Sequence, residues 1–308
     1  MAIKLITGPD DAERRLDRIL RKALPDHPLS LIHRLLRQRK VLVNGKPADP
    51  GGRVQPNDVI QIEIRERQPD SASRPSPALL SPPPPALPEI LWRRAGIVVF
   101  NKPAGLATHG DDSLDTLVTA WLAGTIQASL SFKPGPLHRL DKPTSGAIAF
   151  SETLEGARLF SRLLRERMVE KTYLAIVEGR AANAEWKDEL ARNTAVRKTI
   201  AHDGEKTKTA RTAVQAIASN GLYTLIEAKI HTGLTHQIRA QAGSRGHPLA
   251  GDVKYGGSGT GGFFLHAWKM DTGGRIEGFP QPLIAPLPRR FLSRIQALFP
   301  HSPFSLCR

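Results

Sequence analysis

A chain of 308 residues, 40% of them hydrophobic, exceeds one average domain and carries enough apolar material for a sizeable core. Its 44 Lys and Arg against 29 Asp and Glu give a formal charge of +15, which favours polyanionic partners because basic surfaces gain affinity by releasing counterions from phosphates. No run approaches the roughly 18 apolar residues of a membrane helix, residues 1–5 lack the apolar stretch of a signal peptide, and the single cysteine, Cys307, allows neither an internal disulfide nor a Cys-based metal site. These features point to the cytoplasm and to nucleic acid, and away from a membrane.

Residues 12–64 read as a small unit. Leu16, Ile19, Leu20, Ala23 and Leu24 recur at helical spacing, and Pro25 ends that helix. Ser30 is placed to cap a second helix, whose apolar stripe is Leu31, Ile32, Leu35 and Leu36. Arg34, Arg37, Arg39 and Lys40 fall largely outside that stripe, toward solvent or a ligand. Val41-Leu42-Val43 runs into the hairpin-turn dipeptide Asn44-Gly45, and residues 59–64 alternate as a strand does. Two basic helices followed by a hairpin resemble the S4 domain, an RNA-binding module, and the resemblance implies that these four cations meet RNA.

From 68 to 88 the composition shifts to Pro, Ser and Ala, with four prolines at 82–85. Such a stretch buries no core and is expected to be an extended, semi-stiff tether. The division expected is a small unit at 12–67, a linker at 68–88 and a larger domain at 89–308.

The chemistry centres on residues 137–146, Leu-His-Arg-Leu-Asp-Lys-Pro-Thr-Ser-Gly, followed by the apolar run 147–150. Pro143, Ser145 and Gly146 predict a loop and the apolar run a buried strand, so Asp141 is expected on a loop anchored by a strand. An Asp in a turn is by itself a turn former. The pattern H-R-L-D-x-x-T-S-G, however, resembles the signature of pseudouridine synthases of the RluA family, in which this Asp is the nucleophile. The likeness extends over residues 97–288. Residues 99–106 are similar to the family's opening strand and K-P-x-G turn, 171–179 to its K-x-Y motif, and 235–239 (Thr-His-Gln-Ile-Arg) and 251–256 match as well. Residues 264–267 resemble its closing strand.

The resemblance implies specific roles. Tyr173, in an apolar run that reads as a buried strand, would lay its ring on the target base, where stacking is worth roughly 1–3 kcal/mol. It is also a candidate for removing the proton from C5. Thr235 is placed to cap a short helix carrying Ile238 and Ala242 on one face, with Arg239 beside it. In the family this arginine pairs with the catalytic aspartate, and a guanidinium keeps a carboxylate ionised in a partly dry pocket, as a nucleophile must be. Arg139 would enter the space left by the extruded nucleotide. His138, Thr144, Lys171, His236, Gln237 and Ile238 are expected to contact substrate or RNA. Two positions depart from the family: Leu234 stands where an arginine is usual and Gln241 where a histidine is frequent; neither removes a proposed catalytic group, but they put in question how the RNA backbone is held near the pocket.

Other signals fail on their own terms. Gly257, Gly259 and Gly262 satisfy G-x-G-x-x-G, yet a strand, not a helix, is predicted next. His231, His236 and His247 lack acidic or cysteine companions at ligand spacing. No G-x-S-x-G elbow surrounds Ser145.

The expected fold is α+β: an S4-like αα-hairpin with a small sheet, then a mixed, mostly antiparallel sheet flanked by helices. The resemblance implies a monomer that isomerises uridine to pseudouridine in structured RNA, ribosomal by analogy, without a cofactor. A non-catalytic RNA-binding or ribosome-assembly factor on the same fold would lack one of Asp141, Tyr173 and Arg239. A glycoside hydrolase would need a second carboxylic acid across the bond.

Overall fold

The computed structural model describes residues 2–49, 51–64, 86–123, 129–193, 198–201 and 207–304. Most of the proline-rich stretch, and Cys307, lie outside them. The chain divides into two compact units, one of Met1–Ala86, Leu117–Gly135 and Glu152–Glu155, the other of Leu87–Thr116, Pro136–Ser151 and Gly156–Arg308.

The first unit holds β1 (Ala2–Ile6), α1 (Leu16–Ala23), α2 (Leu29–Arg37), β2 (Val41–Val43), β3 (Lys46–Pro47) and β4 (Val59–Glu63). The strands form an antiparallel sheet in the order β1-β4-β2-β3. The predicted stripes do meet: Leu16, Ile19 and Leu20 pack with Ile32, Leu35 and Leu36 against Val41, Ile60 and Ile62, all buried. Full burial of such a side chain is worth about 1.5–3 kcal/mol, so the stripes hold the helices to the sheet. Asn44 and Gly45 both have positive φ, 51° and 77°, as a tight hairpin turn requires.

Two details differ from the sequence reading. Pro28, not Ser30, occupies the N-cap of α2; its fixed φ of −65° suits the entry, and Ser30 falls within the first turn. β1 precedes the stretch that reads as the unit, and it pairs residue for residue with β4, Ala2 opposite Glu63. A further tie is the buried Asp11, whose carboxylate accepts hydrogen bonds from Gly8 N, Leu130 N, Ser131 N and the hydroxyls of Ser129 and Ser131. Burial works against its charge, but these donors outweigh it and hold its pKa below the ordinary carboxylate value.

In the rest of the chain follow β5 (Ile90–Arg94), β6 (Ile97–Lys102), α3 (Leu114–Ala123), β7 (Gly135–Pro136), β8 (Ser145–Ser151), α4 (Leu154–Arg165), β9 (Glu170–Glu178) and β10 (Ala184–Asn193). Then come β11 (Lys198–Ala201), β12 (Lys208–Ser219), β13 (Tyr223–Ile230), α5 (Gln237–Ser244), β14 (Leu265–Asp271), β15 (Leu283–Ile284) and α6 (Arg289–Leu298). The large sheet runs β11-β10-β12-β13-β9-β14-β8-β6-β5, with β15 on β14 and β7 on β8. Along the strand order from β11 to β5 it is antiparallel except between β14 and β8. Every residue of β8 is buried, which is why residues 147–150 within it form a continuous apolar run rather than an alternation. Phe160 and Leu163 of α4 pack over β6 and β8, and Phe291 and Ile295 of α6 over β9 and β13.

The parallel contact of β8 with β14 depends on one residue. A Cβ on Gly146 would lie 2.3 Å from the Ala267 carbonyl oxygen, and its φ is 112°, so only glycine lets the two strands close here. That closure brings the loop before β8 beside the start of β14 and, through β14, beside β9. No helix among the described residues is long and apolar enough to cross a membrane.

Candidate active site

Asp141 lies on the loop entering β8, as its flanking residues predict. The loop is gripped on both sides. Before Asp141, the Leu140 carbonyl accepts from Thr108 Oγ1 at 2.8 Å, and the Leu140 N–H donates back to that hydroxyl at 3.2 Å. After it, the Lys142 carbonyl accepts from Gly105 N at 2.8 Å and from Lys102 Nζ at 3.3 Å. Lys102 is wholly buried and also donates to the carbonyls of Pro103 and Leu106, so the K-P-x-G turn is folded around its ammonium. Burial pushes that ammonium down to about 8, against an opposing pull from the Asp141 charge.

Arg239 reaches Asp141 from α5, Nη1 to Oδ2 at 3.0 Å. Its other edge is committed elsewhere: Nε donates to Asp252 Oδ2 at 2.6 Å and Nη2 to Oδ1 at 2.9 Å, a two-point fork. The guanidinium lies 4.9 Å from the Tyr255 ring centroid and 4.3 Å from that of Phe263. The charged head itself is therefore buried, not only the stem beneath it. Burial works against its charge, but the two carboxylates outweigh it and hold its pKa above the ordinary value.

His236 completes the surroundings of the carboxylate. Its Nε2 is 3.5 Å from Asp141 Oδ2 and its Nδ1 2.8 Å from the Tyr255 hydroxyl. Burial holds its imidazole pKa below the ordinary histidine value. His236 itself, with a left-handed backbone at φ 57°, takes the N-cap of α5. This corrects the placement of Thr235 as the cap. A left-handed non-glycine residue costs roughly 1–2 kcal/mol, a strain tolerated where a side chain must be aimed.

These groups border a cavity of about 200 Å³, walled also by Tyr173 and Lys171 of β9, Ile230 of β13 and Leu265 of β14. Tyr173 is buried, and burial together with the Asp141 charge raises its phenol above the ordinary value. A phenolate is therefore disfavoured here at neutral pH. A second cavity, about 310 Å³, shares Arg139, Leu140, Asp141, His236 and Arg239 with the first and is bordered also by Lys142 and Lys254. The carboxylate thus borders both a largely apolar recess and a basic one.

A family model described as RNA pseudouridylate synthase matches residues 96–244, and an S4 domain model matches residues 14–60. The chain is 31% identical over 286 residues to ribosomal large subunit pseudouridine synthase C of Escherichia coli strain K12, covering 84% of each. The chain belongs to the RNA pseudouridylate synthase family. Ribosomal large subunit pseudouridine synthase D of Neisseria meningitidis strain Z2491 is 31% identical over 245 residues, 79% of this chain but 63% of that relative, so the match spans under two thirds of its length. Among solved structures, human RNA pseudouridylate synthase domain containing 4 superposes with a TM-score of 0.57 at 23% identity, over 67% of this chain and 91% of that one. At that identity the likeness speaks for the fold.

Within this synthase fold the residues expected at the substrate separate. Arg139, Thr144, Lys171, His236 and Ile238 line the cavity with Asp141, Tyr173 and Arg239. His138 lines it as well, but its Nε2 accepts from Ala149 N at 3.0 Å and its ring stacks on Phe160. Burial pushes its imidazole down to about 3, so it is a neutral strut of the loop. Gln237 lines the cavity but spends its amide inside the protein. It donates to Arg211 O and Thr212 Oγ1 and accepts from Thr232 Oγ1 and Leu234 N, which exhausts its capacity and fixes the 232–234 loop.

Gln241, the second departure from the family, is fully buried; it accepts from Thr212 Oγ1 and donates to Asp188 Oδ2 and Trp186 O. It braces α5 against β10 and β12 and does not line the cavity. In the other unit Arg34, Arg37 and Arg39 are exposed and Lys40 half-buried.

The sequence reading gave no role to Asp252, Tyr255, Phe263, Lys102 or Thr108. Residues 251–256 and the K-P-x-G turn stand out as motifs in the sequence, but only the folded chain shows which side chains they aim at Asp141 and Arg239.

Proposed function

We propose that this chain converts uridine to pseudouridine in structured RNA. The observation that carries the reading is the Asp141 carboxylate, gripped on both sides, held by Arg239 at 3.0 Å and set at the junction of an apolar and a basic recess. Such a junction suits a nucleotide whose base enters one recess while its ribose and phosphate occupy the other.

The reaction balances within the substrate. The bond from ribose C1′ to N1 breaks, the base turns over, and a bond from C1′ to C5 forms; C5 gives up a proton and N1 gains one. Nothing is oxidised or added, so no co-reactant is called for. Asp141 attacks the ribose C1′ or the base ring, and Arg239 holds its carboxylate in position. Tyr173 stacks its ring on the base. Because its phenol stays protonated, it takes part in the C5 proton transfer only as a neutral relay. Arg139, exposed and lining both recesses, fills the gap left in the RNA when the nucleotide swings out.

The relatives named as large-subunit ribosomal synthases support ribosomal RNA as the substrate class. The S4 module supports a second contact with it, through Arg34, Arg37, Arg39 and Lys40. We place the module at 12–67 with β1 added to its sheet, a proline-rich tether at 68–88 and the synthase domain at 89–308, working as a cytoplasmic monomer.

A glycoside hydrolase would need a second carboxylic acid. Asp252 is the carboxylate that folding brings near, but it is 2% exposed and both its oxygens are taken by Arg239. It cannot act as acid or base toward a sugar, which leaves isomerisation as the better reading.

Incubation with a uridine-containing ribosomal RNA transcript tests the proposal. The parent chain should form pseudouridine, and Asp141→Asn should form none while binding the RNA nearly as well, since phosphate contacts dominate affinity. Free uracil as the product, or an Asp141→Asn rate within about tenfold of the parent, would overturn it.

A further inference from the structure

Beside the base recess lies a larger groove of about 630 Å³. Arg165 ends α4, Arg167 stands in the turn after it, Lys208 and Arg211 lie on β12, Lys229 on β13 and Lys171 on β9; all six line the groove. Its one carboxylate, Glu170, is paired with Lys229 at 2.7 Å. Among the described residues no ion pair engages Arg165, Arg167, Lys208 or Arg211, and all four are exposed. Like charges gathered this way repel one another, and an anion lying among them would relieve the repulsion.

The gathering is a product of sheet register. Antiparallel pairing sets Thr212 opposite Ile230 and Ile230 opposite Lys171, which lines up cations that lie far apart in the sequence. The groove also shares a wall with the recess: Lys171, Ile230, Gly233 and Leu234 border both. Lys171 stands on that wall with no carboxylate partner among the described residues, and burial lowers its pKa. Leu234 adds no charge at this sill, so the cations on α4, β9 and β12 supply the attraction there. A ligand that fills the recess with a base and continues as a chain meets this groove next.

We propose that the groove is a phosphodiester track: it holds the backbone of the RNA strand running on from the nucleotide in the recess, with Lys171 meeting the phosphate nearest the base. The inference rests on the reading of the recess as the base site. A concave channel continuous with that recess fits a polymer better than the flat face of a membrane.

The test replaces Arg165, Arg167, Lys208 and Arg211 together by Gln in the full chain. A control variant changes the exposed Arg180, Lys187, Arg275 and Arg289 to Gln. Binding of a labelled stem-loop RNA with a loop uridine is followed from low to high KCl, with thermal midpoints to verify folding. Each lost single-strand phosphate contact flattens the plot of log affinity against log salt by about 0.7, so the groove variant should be shallower by about 2–3 and bind at least about tenfold more weakly. The control should follow the parent.

A groove variant with the parent's slope and affinity would overturn the track, and so would polyglutamate displacing the RNA as well as unlabelled RNA does. If the groove variant melts early, Lys208→Gln and Arg167→Gln are read singly, each expected to flatten the slope by about 0.7. Binding is scored apart from turnover. A parent that binds through the groove yet makes no pseudouridine would sink the proposed function and leave the track standing. An active parent with an inert groove would do the reverse.

Discussion

Asp252 takes two of the three outward-facing nitrogens of Arg239, at 2.6 and 2.9 Å, and leaves one, at 3.0 Å, for Asp141. The arginine therefore cannot swing into a two-point pair with the nucleophile, which would tie up both carboxylate oxygens. Asp252 is a positioning residue: it holds the guanidinium at one corner of Asp141 and leaves the other corner open.

This division of the fork predicts the behaviour of Asp252 variants. Asp252→Ala leaves a buried guanidinium half-unpaired and should cost about 3–5 kcal/mol of stability. Asp252→Asn keeps one acceptor and should fold better, yet lower kcat by at least about tenfold with little change in KM, because Arg239 is then free to close on Asp141. Turnover kinetics beside thermal melts check this. An Asp252→Asn variant with the parent's kcat would remove the positioning role.

Substitutions at Tyr173 separate its ring from its hydroxyl. Tyr173→Phe should bind RNA as the parent does but turn over more slowly, since only the proton relay is lost. Tyr173→Leu should also weaken binding by about 1–3 kcal/mol, the worth of a stacked base. Because its phenol is raised above the ordinary value, no alkaline limb in the rate profile should trace to Tyr173 below pH 10. An alkaline limb below pH 10 that vanishes in Tyr173→Phe would contradict this.

His266 predicts an acid-sensitive step in stability. It is wholly buried between Ser145 Oγ, 2.8 Å from Nδ1, and the Ala285 carbonyl, 3.1 Å from Nε2. Burial outweighs the Ala285 bond and pushes its imidazole down to about 4 from 6.5. Between those values the unfolded chain binds the proton and the folded chain does not, so stability falls as pH drops from 6.5 toward 4. The full loss, reached below pH 4, is about 3 kcal/mol at 1.36 kcal/mol for each pH unit. Above pH 6.5 His266 contributes no slope. Denaturant titrations at several pH values should show one proton less of dependence in His266→Gln than in the parent.

The S4 module makes a separate electrostatic prediction. Replacing the exposed Arg34, Arg37 and Arg39 by Gln should flatten the salt dependence of RNA binding by about 2 without changing kcat at saturating RNA. An unchanged slope would show that these three arginines meet no phosphate.

What local physics dictates could be read along the chain before any fold was known. Helical spacing fixed the stripes of α1 and α2, Asn44-Gly45 the hairpin, and the all-apolar run after Asp141 the most buried strand of the sheet. The motif at 137–146 put Asp141 on its loop, and the resemblance joined it to Arg239, 98 residues further on. Tertiary structure decided the rest. That Asp252 and not solvent holds the far edge of Arg239, that Gln237 turns inward, that β1 completes the small sheet and that six cations share one groove all follow from strand register and close packing. These contacts join residues whose sequence neighbourhoods carry no sign of one another, because an ion pair or a groove wall depends on distance in space, and only the paired strands set that distance.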